Sequence, residues 1–322
     1  MTGTPYLTKS PILFLIFNRP DTTYKVFEKI REAKPTRLYI AADGPRKDRI
    51  EEESLCTETR AVSKLVDWDC DVKILFRNHN LGCKNAVSSA LDWFFSQEDD
   101  GIILEDDCLP ANDFFFFCDE LLEKYRFDTR IRHIGGSNLQ YGNTRGDASY
   151  YFANMTHVWG WASWKRAWID YDKNLMKYEQ KDVAIQLGKI FSDPLIVETW
   201  TEIFRMVKEG EIDTWDYQLG FINFFNNGLT IIPNTNLISN IGFREDATHT
   251  LSPDNPNANI PLGELKALVH PVYFLPEKEA DVYTLNHDFN IEERRAQEKE
   301  EARLVEKNKR KLRNRVKQFF KH

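Results

Sequence analysis

The chain has 322 residues, 42% hydrophobic and 13% aromatic, which is enough apolar material for one large α/β domain or two smaller ones and argues against a disordered chain. A net charge of −7 with a pI near 5.6 lacks the basic footprint of a general nucleic-acid binder, so no nucleic-acid partner is expected. Five scattered cysteines, odd in number and without a C-x-x-C pair, argue against a disulfide framework or zinc site and for a reducing compartment. The opening MTGTPYLTKS shows no basic n-region followed by an apolar h-region, and no run approaches the 18 apolar residues of a membrane span. A soluble, cytoplasmic protein is expected.

Pro11 to Phe17 is a continuous apolar run and predicts a buried strand, closed by Asn18-Arg19-Pro20. Asp21 is placed to N-cap a helix whose apolar positions Val26, Phe27 and Ile30 share a face. Leu38 to Ala42 predicts a second strand, ending in the turn Asp43-Gly44-Pro45-Arg46, with a charged helix following to about residue 66. A third strand, Val72 to Phe76, leads through Asn78-His79-Asn80-Leu81-Gly82 into a helix carrying Ala86, Val87, Ala90, Leu91 and Phe94. The fourth strand is Gly101-Ile102-Ile103-Leu104, running straight into Glu105-Asp106-Asp107 before Cys108-Leu109-Pro110 turns the chain. Short turns in a β-α-β-α-β-α-β order predict a mostly parallel, doubly wound sheet flanked by helices.

Beyond Pro110 the pattern is mixed. An aromatic helix over 114–125, strands near 132–136 and 150–152, and a Trp-rich segment (Trp159, Trp161, Trp164) precede helices at roughly 180–190, 194–209 and 215–227. Short strands at 231–233 and 237–239 come next, then a turn-rich stretch at 252–262 that reads as a mobile loop. From about 290 the chain predicts a long helix, acidic first and basic from Lys307 to Lys321. Val305, Leu312, Val316, Phe319 and Phe320 fall near one of its faces. That composition suits either contact of 305–322 with an anionic membrane face or a solvated helix docked on the body.

Arg19, Asp43 and the acidic triplet all sit at the carboxyl ends of expected strands, the edge where open α/β sheets bind ligands. Adjacent carboxylates raise one another's pKa, a cost that Mg²⁺ or Mn²⁺ shared with substrate phosphates would remove; a solvated acidic turn is the plain alternative. Arg19 can bind phosphate bidentately and Asp43 can accept from a base N–H, so the set suits a nucleoside diphosphate. Neither a P-loop nor a dinucleotide glycine motif occurs. The Asn80-Leu81-Gly82 amides could meet a phosphate or form an ordinary turn, and the three Trp could floor a sugar site or pack a core. His79, His133 and His157 show no partner pattern and read as structural.

ILFLIFNRPDTTYKVFEKI, LYIAADGPR, GIILEDDCLPANDFFFF and TWDYQ together resemble the GT-A glycosyltransferases of the N-acetylglucosaminyltransferase I type and their bacterial relatives, over about residues 10–245. HVWGWASWKRAW is closer to the bacterial relatives. The resemblance implies a GT-A (Rossmann-like nucleotide-diphospho-sugar transferase) domain over 1–250, with a nucleotide-binding half at 1–110 and an acceptor half at 111–250. A mobile loop and C-terminal extension (251–289) and the amphipathic charged helix (290–322) would follow. It also implies Asp107 as direct metal ligand, Glu105 and Asp106 on ribose or donor sugar, Asp43 on a uracil ring and Arg19 on the nucleotide. Asp216 would be the catalytic base, where the residues alone also read as a plain acid favoured at a helix N-terminus, and His249 would complete the metal shell or touch the diphosphate; a structural histidine is the alternative for it.

The expected activity is therefore metal-dependent, inverting transfer of a sugar from a nucleotide-sugar donor, UDP-N-acetylglucosamine or another UDP-hexose, to a glycan or glycolipid hydroxyl. The enzyme is expected in the cytoplasm, peripheral at the inner membrane face if the tail binds lipid. Two alternatives use the same fold: a non-catalytic nucleotide- or glycan-binding module, and a sugar-nucleotide pyrophosphorylase. The latter would carry a glycine-rich loop after the first strand, where this chain has Asn18-Arg19-Pro20-Asp21.

Overall fold

In the computed structural model, which describes residues 5–244 and 254–319, the first apolar run forms β1 (Ile12–Ile16), buried along its whole length. The chain continues through α1 (Pro20–Ala33), β2 (Arg37–Ala42), α2 (Glu51–Arg60) with a 3₁₀ extension to Leu65, β3 (Asp71–Phe76), α3 (Cys83–Phe95) and β4 (Asp100–Glu105). Next come β5 (Cys108–Pro110), α4 (Asn112–Lys124), β6 (Ile131–Gly135), β7 (Tyr150–Ala153), β8 (Trp161–Trp164) and the one-turn α5 (Lys165–Trp168). Helices α6 (Gln180–Leu187), α7 (Pro194–Glu209) and α8 (Asp216–Phe225) precede β9 (Leu229–Pro233) and β10 (Ile238–Asn240). Two helices close the described chain, α9 (Lys278–Phe289) and α10 (Ile291–Phe319).

Eight strands form one sheet in the order β3-β2-β1-β4-β8-β6-β9-β7. The β1–β2, β2–β3, β1–β4 and β6–β9 pairs are parallel, while β4–β8, β6–β8 and β7–β9 are antiparallel. This is the expected α/β class, a mostly parallel mixed sheet between helices, and it runs unbroken across residue 110. Alternation along the strands builds two cores. Ile12, Phe14, Ile16, Ile102 and Leu104 face α1 and α4, while Leu13, Leu15, Tyr39 and Ile103 pack with Leu91, Phe94 and Phe95 of α3 on the opposite face. A third apolar cluster joins α6, α7, α8 and the start of α10.

The strand order reverses beside β1: β2 lies on one side and β4 on the other. A crevice opens beyond the carboxyl ends of the strands at such a point, because the following connections leave in opposite directions. The acidic turn Glu105–Asp107 hangs over it, held by the short ladder of β5 against β10 and by the Ile241 N–H, which donates to Asp107 O at 2.8 Å.

One expectation is corrected, one left open divides, and the C-terminal extension gains a helix. Asp21 does not cap α1: Pro20, with no N–H to satisfy and φ already helical, occupies the first turn, and Asp21 pairs instead with Arg244 at 2.8 Å. The Trp-rich segment divides, with Trp161 and Trp164 on β8 fully buried as core and Trp159 left at the crevice. Part of the 251–289 extension is a docked helix, α9, with Ala280, Thr284 and Leu285 buried.

Candidate active site

A cavity of about 510 Å³ lies at this edge of the sheet. It is lined by Arg19 after β1, Asp43 after β2, Glu105 as the last residue of β4 with Asp106 and Asp107 after it, and Asp216 at the start of α8. Six of the seven site residues expected from sequence are thus brought together; the seventh, His249, lies outside the described residues. The volume is in the range of small-ligand sites.

Each side chain is fixed by a specific contact. Arg19 Nη1 donates to Asp107 Oδ2 at 2.9 Å, with both side chains largely buried. The Phe17 N–H donates to Asp106 Oδ2 at 2.9 Å, so Asp106 braces the end of β1 against the end of β4 as well as lining the cavity. Both oxygens of Asp43 accept from the Leu81 N–H at 3.0 Å, and Oδ1 also accepts from the Gly44 N–H at 2.9 Å. The Asn80-Leu81-Gly82 segment is therefore a turn that holds Asp43, yet a carboxylate has about four acceptor positions, so capacity for a ligand donor remains. Gly44 is required there, because a Cβ would overlap the His79 backbone.

The opposite wall is the 213–216 turn. Thr214, nearly buried, donates from its hydroxyl to Asp216 Oδ1. Trp215 is anchored by a stack on Trp161, ring centroids 5.8 Å apart, and by the Tyr171 hydroxyl, which donates to Trp215 O at 2.9 Å. Asp216 thus projects from a rigid aromatic base.

Acids dominate the electrostatics. Burial, then the carboxylates of Asp107, Asp106 and Asp216, push Glu105 well above the usual carboxylate range, against the pull of Arg19. Burial and Asp107 push Asp106 to about 7, opposed by Arg19 and the Phe17 N–H. Burial also raises Asp43, with the Leu81 and Gly44 N–H groups opposing. A cation among these groups would remove the repulsion. Among the described residues no three His, Cys, Asp or Glu side chains converge as a protein-only metal cage. A Mg²⁺ or Mn²⁺ held by one or two carboxylates and by substrate phosphates needs no such cage, and the hard oxygens of this turn fit that mode.

Several lining residues escaped the sequence reading: Arg46, Arg77, Asp213, Thr214 and Asn240. Arg46 was visible as the last residue of the Asp43 turn, and Asp213 stands three residues before Asp216. Gly242 had no signal at all: a Cβ on it would overlap the Asp107 carboxylate, so the acidic turn rests on bare backbone.

No family model and no curated protein matches the chain. Solved structures similar to it include HddC from Yersinia pseudotuberculosis (14% identity, TM-score 0.33, 50% of this chain and 80% of that one). UDP-glucose pyrophosphorylase complexed with UDP-glucose is also similar (10%, TM-score 0.28, 50% and 71%). A third is 4-diphosphocytidyl-2C-methyl-D-erythritolsynthase from Anaerococcus prevotii DSM 20548 (11%, TM-score 0.33, 57% and 83%). Likenesses this distant carry no functional argument.

Proposed function

We propose that the chain is a metal-assisted glycosyltransferase that takes a nucleoside-diphosphate sugar, a UDP-hexose such as UDP-N-acetylglucosamine, and transfers the sugar to a hydroxyl of a glycan or glycolipid. The observation that carries this reading is the single cavity in which Arg19, Asp43 and the Glu105–Asp107 turn face Asp216 across the crevice. Nucleotide and phosphate groups would be held on the strand side, and a separate carboxylate stands on the α8 side for proton transfer.

Asp216 would take the proton of the attacking hydroxyl as general base. The Thr214 hydroxyl occupies its Oδ1, which fixes the plane of the carboxylate and leaves Oδ2 for the incoming proton. Arg19 would bind the diphosphate, and Glu105 and Asp106 would accept from ribose or sugar hydroxyls. Bound by Asp107 and the diphosphate, Mg²⁺ or Mn²⁺ would offset the charge that develops on the leaving group. Trp159, packed edge-on against Phe243, offers an aromatic face to the sugar or acceptor.

The connection from β1 to α1 is only Phe17-Asn18-Arg19 and holds no glycine, so nothing there forms the glycine-rich loop that a pyrophosphorylase would use. The test is product analysis of UDP-N-acetylglucosamine and UDP-glucose incubated with Mn²⁺ and, in separate reactions, an acceptor panel or pyrophosphate. Release of UDP that disappears in Asp216→Asn supports the proposal. Formation of UTP from the sugar nucleotide and pyrophosphate would assign the chain to nucleotidyl transfer instead, and UDP binding without turnover to the non-catalytic module.

A further inference from the structure

We propose that α10 is a docking element for an anionic lipid surface, an inference independent of the chemistry at the cavity. Among the described side chains, the helix is tied to the body at its start only. Ile291 is buried, Arg294 Nη1 donates to Thr199 Oγ1 at 2.6 Å, and Arg295 pairs with Asp193. From Ala296 through Arg313 every side chain is exposed, so about 27 Å of helix, at 1.5 Å per residue, runs without support from the body.

An unsupported helix of this length is marginal in water unless its own side-chain pairs or a partner hold it. Among the described residues its pairs are few: Glu300 and Arg303 approach at 3.6 Å, and after Glu306 no acid follows in the sequence. Lys307, Lys309, Arg310, Lys311 and Arg313 then crowd one stretch and repel one another. Among them Val305 is 51% and Leu312 64% exposed; seven residues apart, they share a face. Cations flanking an apolar stripe is the arrangement that lies in the interface of anionic lipid, apolar side down and ammonium groups at the phosphates.

Charge selects this occupant over a second copy of the chain. The first half of α10 mixes Glu292, Glu293, Glu298, Glu300 and Glu301 with Arg294, Arg295, Lys299 and Arg303, five acids against four bases, so in an antiparallel pair it would barely neutralise a basic half, and a parallel pair would set basic against basic. The net charge of the chain is −7 although its end is basic. An anionic surface would therefore attract the helix and repel the acidic remainder.

The test is co-sedimentation of the full-length protein with vesicles of phosphatidylcholine alone and of equal parts phosphatidylcholine and phosphatidylglycerol. Binding is expected only to the anionic vesicles. The full-chain variant Lys309→Gln/Lys311→Gln/Arg313→Gln should partition on the order of a hundredfold more weakly, at roughly fivefold per cation. Val305→Asn/Leu312→Asn should lose roughly tenfold through apolar contact. All five side chains are exposed, so circular dichroism should show the fold unchanged. Equal binding to neutral vesicles, or wild-type binding by the triple variant, overturns the proposal. So does a light-scattering dimer that the triple substitution dissolves while vesicles capture nothing, or duplex DNA bound as tightly as lipid.

Discussion

Arg19 Nη1 lies 2.9 Å from Asp107 Oδ2, so the carboxylate proposed above to meet a divalent ion already holds a cation. The two residues come from the ends of neighbouring parallel strands, β1 and β4, and their pairing closes the crevice at the point where the strand order reverses. A diphosphate entering with its metal would redistribute both partners, with Asp107 turning to the ion and Arg19 to phosphate oxygens.

Calorimetric titration of UDP with and without Mn²⁺ reads that exchange. In Asp107→Ala, the part of UDP affinity that depends on Mn²⁺ should vanish. In Arg19→Ala, affinity should fall roughly tenfold to a hundredfold with Mn²⁺ present, the worth of a charge-assisted phosphate contact. Unchanged UDP affinity in both variants would refute the donor site.

Asp216→Asn should lower kcat by roughly a hundredfold to ten-thousandfold, as for loss of a general base, with donor binding retained. Thr214→Val removes only the hydroxyl that holds Asp216 Oδ1. It should cost roughly tenfold in kcat at constant donor KM, and Thr214→Ser should restore most of it. A Thr214→Val enzyme with a raised donor KM and normal kcat would place Thr214 in binding and not in orienting the base.

Much of this was legible in the chain because buried parallel strands write themselves as unbroken apolar runs: β1, β2 and β4 appear where Ile12–Ile16, Leu38–Ala42 and Ile102–Leu104 stand in the sequence. Their carboxyl ends then name Arg19, Asp43 and the acidic turn. What the sequence hides is set by contacts between distant segments. Asp43 looks like a free acceptor until the Leu81 N–H is found on it, and Asp106 looks like Asp107 until the Phe17 N–H separates them. Helix α9 was missed because only one side of it is apolar, and weakly so; a buried carboxylate, Asp281, docks it.

Gly242→Ala tests the least visible of these contacts. The added methyl would overlap the Asp107 carboxylate and must displace the acidic turn or the β10 end. Overpacking of this kind costs roughly 1–3 kcal/mol, and metal-dependent UDP binding should weaken with it. Gly220→Ala in α8 is the control: a Cβ there meets nothing within 4 Å, so stability should hold or rise slightly, by about 0.5–1 kcal/mol. Equal effects at the two glycines would show that Asp107 does not depend on bare backbone at 242.

Asp281 gives the fold a pH signature of definite sign. Its carboxylate accepts from the Asn154 and Met155 N–H groups at 3.1 Å and from Asn154 Nδ2 at 2.7 Å, pinning α9 to the end of β7. Burial nonetheless pushes its pKa from 3.8 to about 6, the donors pulling against the rise. The folded state therefore binds this proton more tightly than the unfolded chain does. The stability it contributes is fully present below the ordinary value of 3.8 and is lost as pH rises through about 6. A shift of this size is worth roughly 3 kcal/mol. Asp281→Asn keeps the shape and removes the titration, so the stability of the wild type minus that of the variant should be more positive near about pH 4.5 than near about pH 7.5 in urea unfolding. His133 works in the opposite direction, since burial lowers it to about 3, but it is common to both proteins and cancels from the difference. A gap that stays constant across this range would mean that Asp281 is ionised in the folded state throughout, with its three donors outweighing its burial.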